Sequence, residues 1–181
     1  MKCKFNQLYT GDNSLDTPLY EWLTDSPLTS EQKHTYISWL NSEGQEMKQA
    51  LEAYFNNTNL RSVYTPVWIH SEVENSLVTL MIKQDNIAQE PGEQGSILAY
   101  ARAYGYQHDF LYSDCYGQLS CSSCAVEVLQ GECLNSTPKD EEYDMLDIDI
   151  EKPPTKWTRL SCQASVGHSP LFCRIRKPVT S

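Results

Sequence analysis

The sequence predicts an α+β chain in which a small helical region, residues 1–73, precedes a β-grasp domain, residues 74–181. Three observations predict it. Apolar residues recur at helical spacing through the first third of the chain. From Leu77 the pattern changes to a short strand, a turn, a returning strand and then a capped helix, which is how the β-grasp fold begins. Three cysteines then crowd one loop, Cys115-Tyr-Gly-Gln-Leu-Ser-Cys121-Ser-Ser-Cys124, between that helix and a further strand.

In the first region Asp16-Thr17-Pro18 opens a short helix, with Pro18 at the first helical position. Leu19, Trp22 and Leu23 form its apolar face. Thr29-Ser30-Glu31-Gln32 reads as a capping box before a second helix carrying Tyr36, Ile37 and Leu40. Met47, Leu51, Tyr54 and Phe55 continue the spacing, and Asn56-Asn57-Thr58-Asn59 is expected to end it. So apolar a region needs something to pack against: the following domain, a second copy in a homodimer, or a partner.

Ser62 to His70 is β-like, and Pro66 makes it an edge strand or an extended linker. The domain boundary is expected at 73/74. Leu77 to Ile82 is a strand, Gln84-Asp85-Asn86 a turn, and Ile87 to Glu90 a returning strand. Gly95-Ser96 caps a helix holding Ile97, Leu98, Ala101 and Tyr104, stopped by Gly105. Beyond the cysteine loop, Ala125 to Leu129 is a strand. Thr137-Pro138 starts an acidic helix, and Leu171 to Ile175 closes the fold with Phe172 as a core aromatic.

The loop thiols are spaced C-x5-C-x2-C, and Cys162 follows in Arg-Leu-Ser-Cys-Gln. One crowded loop plus one distant thiol is how proteins hold a [2Fe–2S] cluster, in which each iron takes two bridging sulfides and two cysteine thiolates. The candidate ligands are Cys115, Cys121, Cys124 and Cys162. The cluster with its thiolates carries a charge of about 2− before reduction, so the loop must aim N–H groups at sulfur. Gly117 suits a positive φ. Ser120, Ser122 and Ser123 permit close approach and can donate to sulfur, and Leu119 is expected to turn inward. Structural zinc remains the rival, although only one C-x2-C pair is present where such sites use two. Disulfides fit poorly in a chain with no mark of secretion. Cys3, Cys133 and Cys173 lie outside the pattern and read as non-ligands. The four histidines, His34, His70, His108 and His168, do not cluster in sequence and read as having no metal role.

The loop, the Arg159-Leu160-x-Cys162-Gln163 segment and the acidic run Asp140-Glu141-Glu142-Tyr143-Asp144-Met145-Leu146-Asp147 together resemble the adrenodoxin-type (vertebrate and bacterial) [2Fe–2S] ferredoxins over about residues 74–181. This chain has Ala125 where that family commonly has His, and Asp114 and Tyr116 flank Cys115 where other residues are usual. The resemblance implies a β-grasp fold and a one-electron carrier, not an enzyme. Its electrons would pass from a flavoprotein reductase to an oxygenase or a cluster-assembly enzyme. It also implies that Asp140, Glu141, Asp144 and Asp147 dock basic-surfaced partners. By itself the acidic run is equally a solvated face, but like charges three and four apart repel, at roughly 0.2–0.5 kcal/mol per pair. The alternative function is an iron–sulfur sensor or regulatory subunit whose N-terminal region binds a target protein.

The formal net charge is −10. Such a surface repels nucleic acid and anionic membrane and favours basic protein partners. No apolar run approaches a membrane span, and the start lacks an apolar signal-peptide core. The expected location is cytoplasmic, with a processed form in an organelle matrix as the alternative.

Overall fold

The computed structural model describes residue 30 and residues 54–56, 58–71, 76–106, 110–148 and 153–176. The chain divides into two compact units, residues 1–63 and 64–181. In the first unit, helical backbone is described at Ser30, at Tyr54–Asn56 and over Thr58–Val63 (α1). Ser30 lies within the predicted capping box. Tyr54 is buried, and its ring meets that of Phe55 edge-on, with centroids 5.4 Å apart. The expected stop at Asn56–Asn59 is corrected, because α1 runs through Thr58 and Asn59. Asn and Thr are N-cap residue types, so a run that reads as a helix end reads equally as a helix start. The expected helices over residues 16–53 lie outside the described residues, except at Ser30.

The second unit is a five-stranded mixed sheet in the order β2-β1-β5-β3-β4. Its strands are β1 (Tyr64–Ser71), β2 (Ser76–Lys83), β3 (Ala125–Gln130), β4 (Thr158–Leu160) and β5 (Leu171–Ile175). β1 and β2 pair antiparallel from Tyr64↔Lys83 to Ser71↔Ser76. β5 lies parallel to β1 and antiparallel to β3, and β4 pairs antiparallel with β3. A hairpin, a helix and a central parallel strand of late sequence make this a β-grasp fold.

Two strand expectations are corrected. Ser62–His70 was expected at an edge or as a linker, but β1 is paired on both flanks. Thr65 through Ile69 are all buried, so both faces of β1 are covered and no alternation marks it. Pro66 is tolerated because pairing with β5 begins only at Val67. β1 therefore belongs to the sheet unit, which starts at Tyr64. The returning strand at Ile87–Glu90 does not form; β2 returns from β1, and residues 86–90 are irregular. Ile87 is 49% exposed, too wet for a core strand. The predicted turn before it stands, closed by Asn86 N donating to Lys83 O at 2.9 Å.

Helix α2 (Ile97–Ala103) forms where predicted. The Ser96 hydroxyl accepts from Ala99 N at 3.2 Å, and Gly105 follows at φ 85. Ile97, Leu98, Tyr100 and Ala101 enter one core with Val67, Ile69, Leu80, Val126, Leu160 and Leu171. Tyr104 was expected on that face but is 46% exposed, and its hydroxyl donates to the Met81 carbonyl. Phe172 is buried as predicted. Helix α3 (Asp140–Leu146) is the acidic helix, starting just after Thr137-Pro138. Among the described residues no helix is long and apolar enough to cross a membrane.

Candidate metal centre

The cysteine loop is built by its backbone. Ser113 O accepts from Tyr116 N at 3.2 Å and Ser113 Oγ from Gly117 N at 3.1 Å. Cys115 O accepts from Gln118 N at 3.0 Å. Tyr116, Gly117 and Leu119 all take positive φ, at 51°, 83° and 54°. Left-handed residues interleaved in a turn swing successive N–H groups to one side, which makes a concavity for anions. Gly117 thus fills the role predicted for it, and Leu119 packs against the hydrophobic core. Ser123 Oγ accepts from Asp114 N at 2.8 Å and lies 3.1 Å from Cys121 Sγ.

The fourth cysteine arrives on the strand neighbouring the loop's exit. β3 begins at Ala125, directly after Cys124, and Ala125 pairs with Leu160 of β4. Ser161 N donates to Cys124 O at 3.0 Å, so Cys162 is carried to the loop by continuation of the ladder.

The Cys115 and Cys121 thiols each shift the other's titration, and so do those of Cys124 and Cys162. The charge of Cys115 adds a small upward push at both Cys124 and Cys162. Burial pushes the Cys115 thiol up, but the Ser120 N–H, the Cys121 thiol, the Ser120 hydroxyl and the Gly117 N–H outweigh it and bring it down to about 7. Burial holds Cys121 above its ordinary value. Cys124 is held low by the Cys162 thiol against the effect of burial, helped by the Cys162 N–H and the Ser161 hydroxyl. Ser161 Oγ is buried and makes no hydrogen bond of its own among the described residues. Cys162 is raised, first because its thiol is held by Cys124 and then by burial. Gln163 Nε2, buried, lies 3.6 Å from Cys162 Sγ as a donor. Among the described residues no three His, Cys, Asp or Glu close on a metal ion. The donor set is instead two thiol pairs with N–H groups and hydroxyls aimed at sulfur. It fits a two-iron group that takes two thiolates per iron and carries negative charge.

Sequence reasoning missed three supports of this site. The first is Gly92. A Cβ there would lie 2.4 Å from Cys162 O, and a Cβ on Gly117 would lie 2.6 Å from Gly92 N. Backbone from three distant segments therefore touches directly, and Glu93 N donates to Cys162 O at 2.7 Å. The Pro91-Gly92 pair read only as a turn; nothing local marks it as touching residue 162. The second is the pairing of Glu142 with Arg159. Arg159 Nε and Nη2 donate to Glu142 Oε1 and Oε2 at 2.9 and 3.0 Å, Leu160 N donates to Oε1 at 2.8 Å, and Arg159 Nη1 donates to Asn135 O at 2.6 Å. Both side chains are buried. Glu142 is thus the inward member of the acidic run, on the same helix face as Leu146, four residues on. That spacing was the available signal. The third is Gln163.

Asp140, Glu141 and Asp144 of α3 and Asp147 at its C-cap are exposed. Cys133 and Cys173 lie in the sheet core, away from the loop pattern: burial pushes Cys133 up to about 11 and Cys173 well above its ordinary value. His70 is half-buried in β1 and His168 exposed, while Cys3, His34 and His108 lie outside the described residues.

Residues 81–167 match the family described as 2Fe-2S iron-sulfur cluster binding domain. No curated protein matches the chain. Among solved structures, a ferredoxin from Rhodopseudomonas palustris is 21% identical, covering 64% of this chain and 99% of its own, with a TM-score of 0.47. The ISC-like [2Fe–2S] ferredoxin FdxB from Pseudomonas putida is 24% identical, covering 65% of this chain and 96% of its own, with a TM-score of 0.48. A reduced putidaredoxin variant from Pseudomonas putida is 20% identical, covering 61% of this chain and 95% of its own, with a TM-score of 0.44. Residues 81–167, which hold the cysteine loop and Cys162, are thus similar to domains that bind a 2Fe-2S iron-sulfur cluster.

Proposed function

We propose that Cys115 and Cys121 ligate one iron of the cluster and Cys124 and Cys162 the other, in a one-electron carrier. The observation that supports this reading is the contact of Ser161 N with Cys124 O, which carries Cys162 to the cysteine loop. When bound, the group supplies a reversible one-electron change at iron. The chain's own residues do the rest. Backbone N–H groups and the hydroxyls of Ser120 and Ser123 face sulfur and favour the extra negative charge of reduction. The Gln163 amide does the same for Cys162. Leu119 and the core beneath it keep water from one side.

In this reading the electron comes from a flavoprotein reductase and goes to an oxygenase or a cluster-assembly enzyme. Asp140, Glu141, Asp144 and Asp147 steer those basic-surfaced partners, since exposed carboxylates raise encounter rates without holding a long-lived complex. Residues 1–63 serve as a packing or partner-binding unit, including as a homodimer contact. The ligand assignment is tested by changing each cysteine to Ser. Two iron and two sulfide per chain are expected in the wild type, with the wild-type visible spectrum lost for Cys162→Ser and retained for Cys133→Ser. Stoichiometric zinc in iron-replete preparations would overturn it.

A further inference from the structure

We infer that the ring of Tyr116 is the contact through which this domain meets its redox partner beside the cluster, and that the partner is a basic protein presenting its cofactor edge within an apolar rim. The inference rests on the electron-carrier reading above. Tyr116 directly follows the ligand candidate Cys115 and is 69% exposed, well above Tyr104, Tyr143 and Trp157 at 46%, 45% and 41%. It also sits at φ 51. The left-handed region is disfavoured for a non-glycine residue. The turn does not ask for this side chain. Its hydrogen bonds, Tyr116 N to Ser113 O and Gln118 N to Cys115 O, are backbone bonds that glycine or asparagine would make as well. A large amphipathic side chain is thus held out over the loop at a conformational cost.

Its surroundings identify what it meets. The next residue, Gly117, is buried against Gly92, so the loop turns inward there and Tyr116 is left on the outer rim. Tyr112 is linked to the same loop: its hydroxyl donates to Asp114 Oδ1 at 2.5 Å, and Asp114 N donates to Ser123 Oγ, which lies 3.1 Å from Cys121 Sγ. Two aromatic side chains and a carboxylate therefore border the half-buried thiols Cys115 and Cys121. Aromatic rings give large contact area for little lost rotamer freedom and dominate interface energetics. A chain of net charge −10, with four exposed carboxylates on α3 and its C-cap, selects a partner of opposite sign. The α3 charges act through a field that salt screens. The ring acts on contact by excluding water, which salt does not screen.

That difference supplies the test. Holo-protein reduced with dithionite is mixed in stopped flow with oxidised cytochrome c, a basic haem protein, and separately with ferricyanide, across an ionic-strength series. The variants are Tyr116→Gly and Tyr116→Asn, both tolerant of positive φ, with Tyr116→Phe as the conservative control. The Gly and Asn variants should keep iron content and visible spectrum, and transfer to cytochrome c should fall about tenfold at every salt concentration. Ferricyanide oxidation should stay at the wild-type rate, and Tyr116→Phe should restore most of the loss. Wild-type rates with cytochrome c in both variants would overturn the inference. Loss of the visible spectrum in both would overturn it too, by making the ring a support of the cluster. A slowing that vanishes at high salt would overturn it by reassigning the effect to charge. The carrier reading fails separately, if wild-type holo-protein passes no electron to either oxidant.

Discussion

Cys115 and Cys133 carry the same thiol into opposite surroundings. Around Cys115 the loop turns N–H groups and a serine hydroxyl toward sulfur, and the thiol falls to about 7 despite partial burial. Around Cys133 burial wins over the nearby Arg159 charge, and the thiol rises to about 11. Cys173, fully buried, rises as well. Cys121, in the same loop, is nevertheless held above its ordinary value by burial, so donors lower a thiol only where they outweigh burial. The difference lies in donors: left-handed turns present N–H groups to a ligand, whereas Cys133, beyond the end of β3, is packed in the apolar core.

The contrast can be broken from beneath. Arg159→Met should be the most damaging of the changes proposed here, because it strands a buried Glu142 carboxylate and frees the segment that carries Cys162. The expected loss is about 3–5 kcal/mol in chemical denaturation. The double variant Glu142→Leu/Arg159→Met should recover much of that, and a double variant no better than the single would count against the buried-charge explanation.

Gly92→Ala strikes where the loop, the turn and Cys162 touch. The new Cβ meets Cys162 O at 2.4 Å, and the residue sits at φ 86. Overpacking of about 1–3 kcal/mol adds to a left-handed cost of about 1–2 kcal/mol. The cluster should be lost faster in a chelator challenge, read from the decay of visible absorption. An unchanged decay rate would mean that the turn moves aside.

Smaller effects are expected in the core. Cys133→Ala should cost about 1 kcal/mol and leave the visible spectrum alone. Because burial raises these thiols, Cys133 and Cys173 stay protonated below their pKa, and neither should react with iodoacetamide in holo-protein at about pH 8. Rapid labelling of either would contradict their placement.

The smallest structural change concerns α3. Asp144→Asn/Asp147→Asn removes two exposed charges and no contact with the core. Electron transfer from a reductase should slow at low salt and converge with wild type as salt rises, since the field reaches only a Debye length, about 8 Å at physiological salt. Identical rates throughout would leave α3 as a solvated face.

Local chemistry explains which elements the sequence made legible. Ser96 and Gly105 bracket α2 because capping is a property of neighbouring residues. β3 and β5 were recognisable from apolar runs, and Gly117 from the spacing of a loop that must wrap one small object. β1 was misplaced because burial on both faces erases alternation and Pro66 suggested an edge. Glu142 looked like its neighbours because charge alone does not say which helix face turns inward.

What the sequence by itself determined was therefore the local content: four thiols at cluster spacing, a capped helix, an acidic run, and the strands that begin beside the cysteines. Only the tertiary structure decided which groups oppose one another. It pairs Cys124 with Cys162 through a strand ladder, buries Glu142 against Arg159, and sets Gly92 against Gly117 and Cys162. Spacing along a chain constrains neighbours within a turn or a loop. Contacts between segments tens of residues apart depend on which surfaces the whole core can bury together, and no window of sequence contains that information.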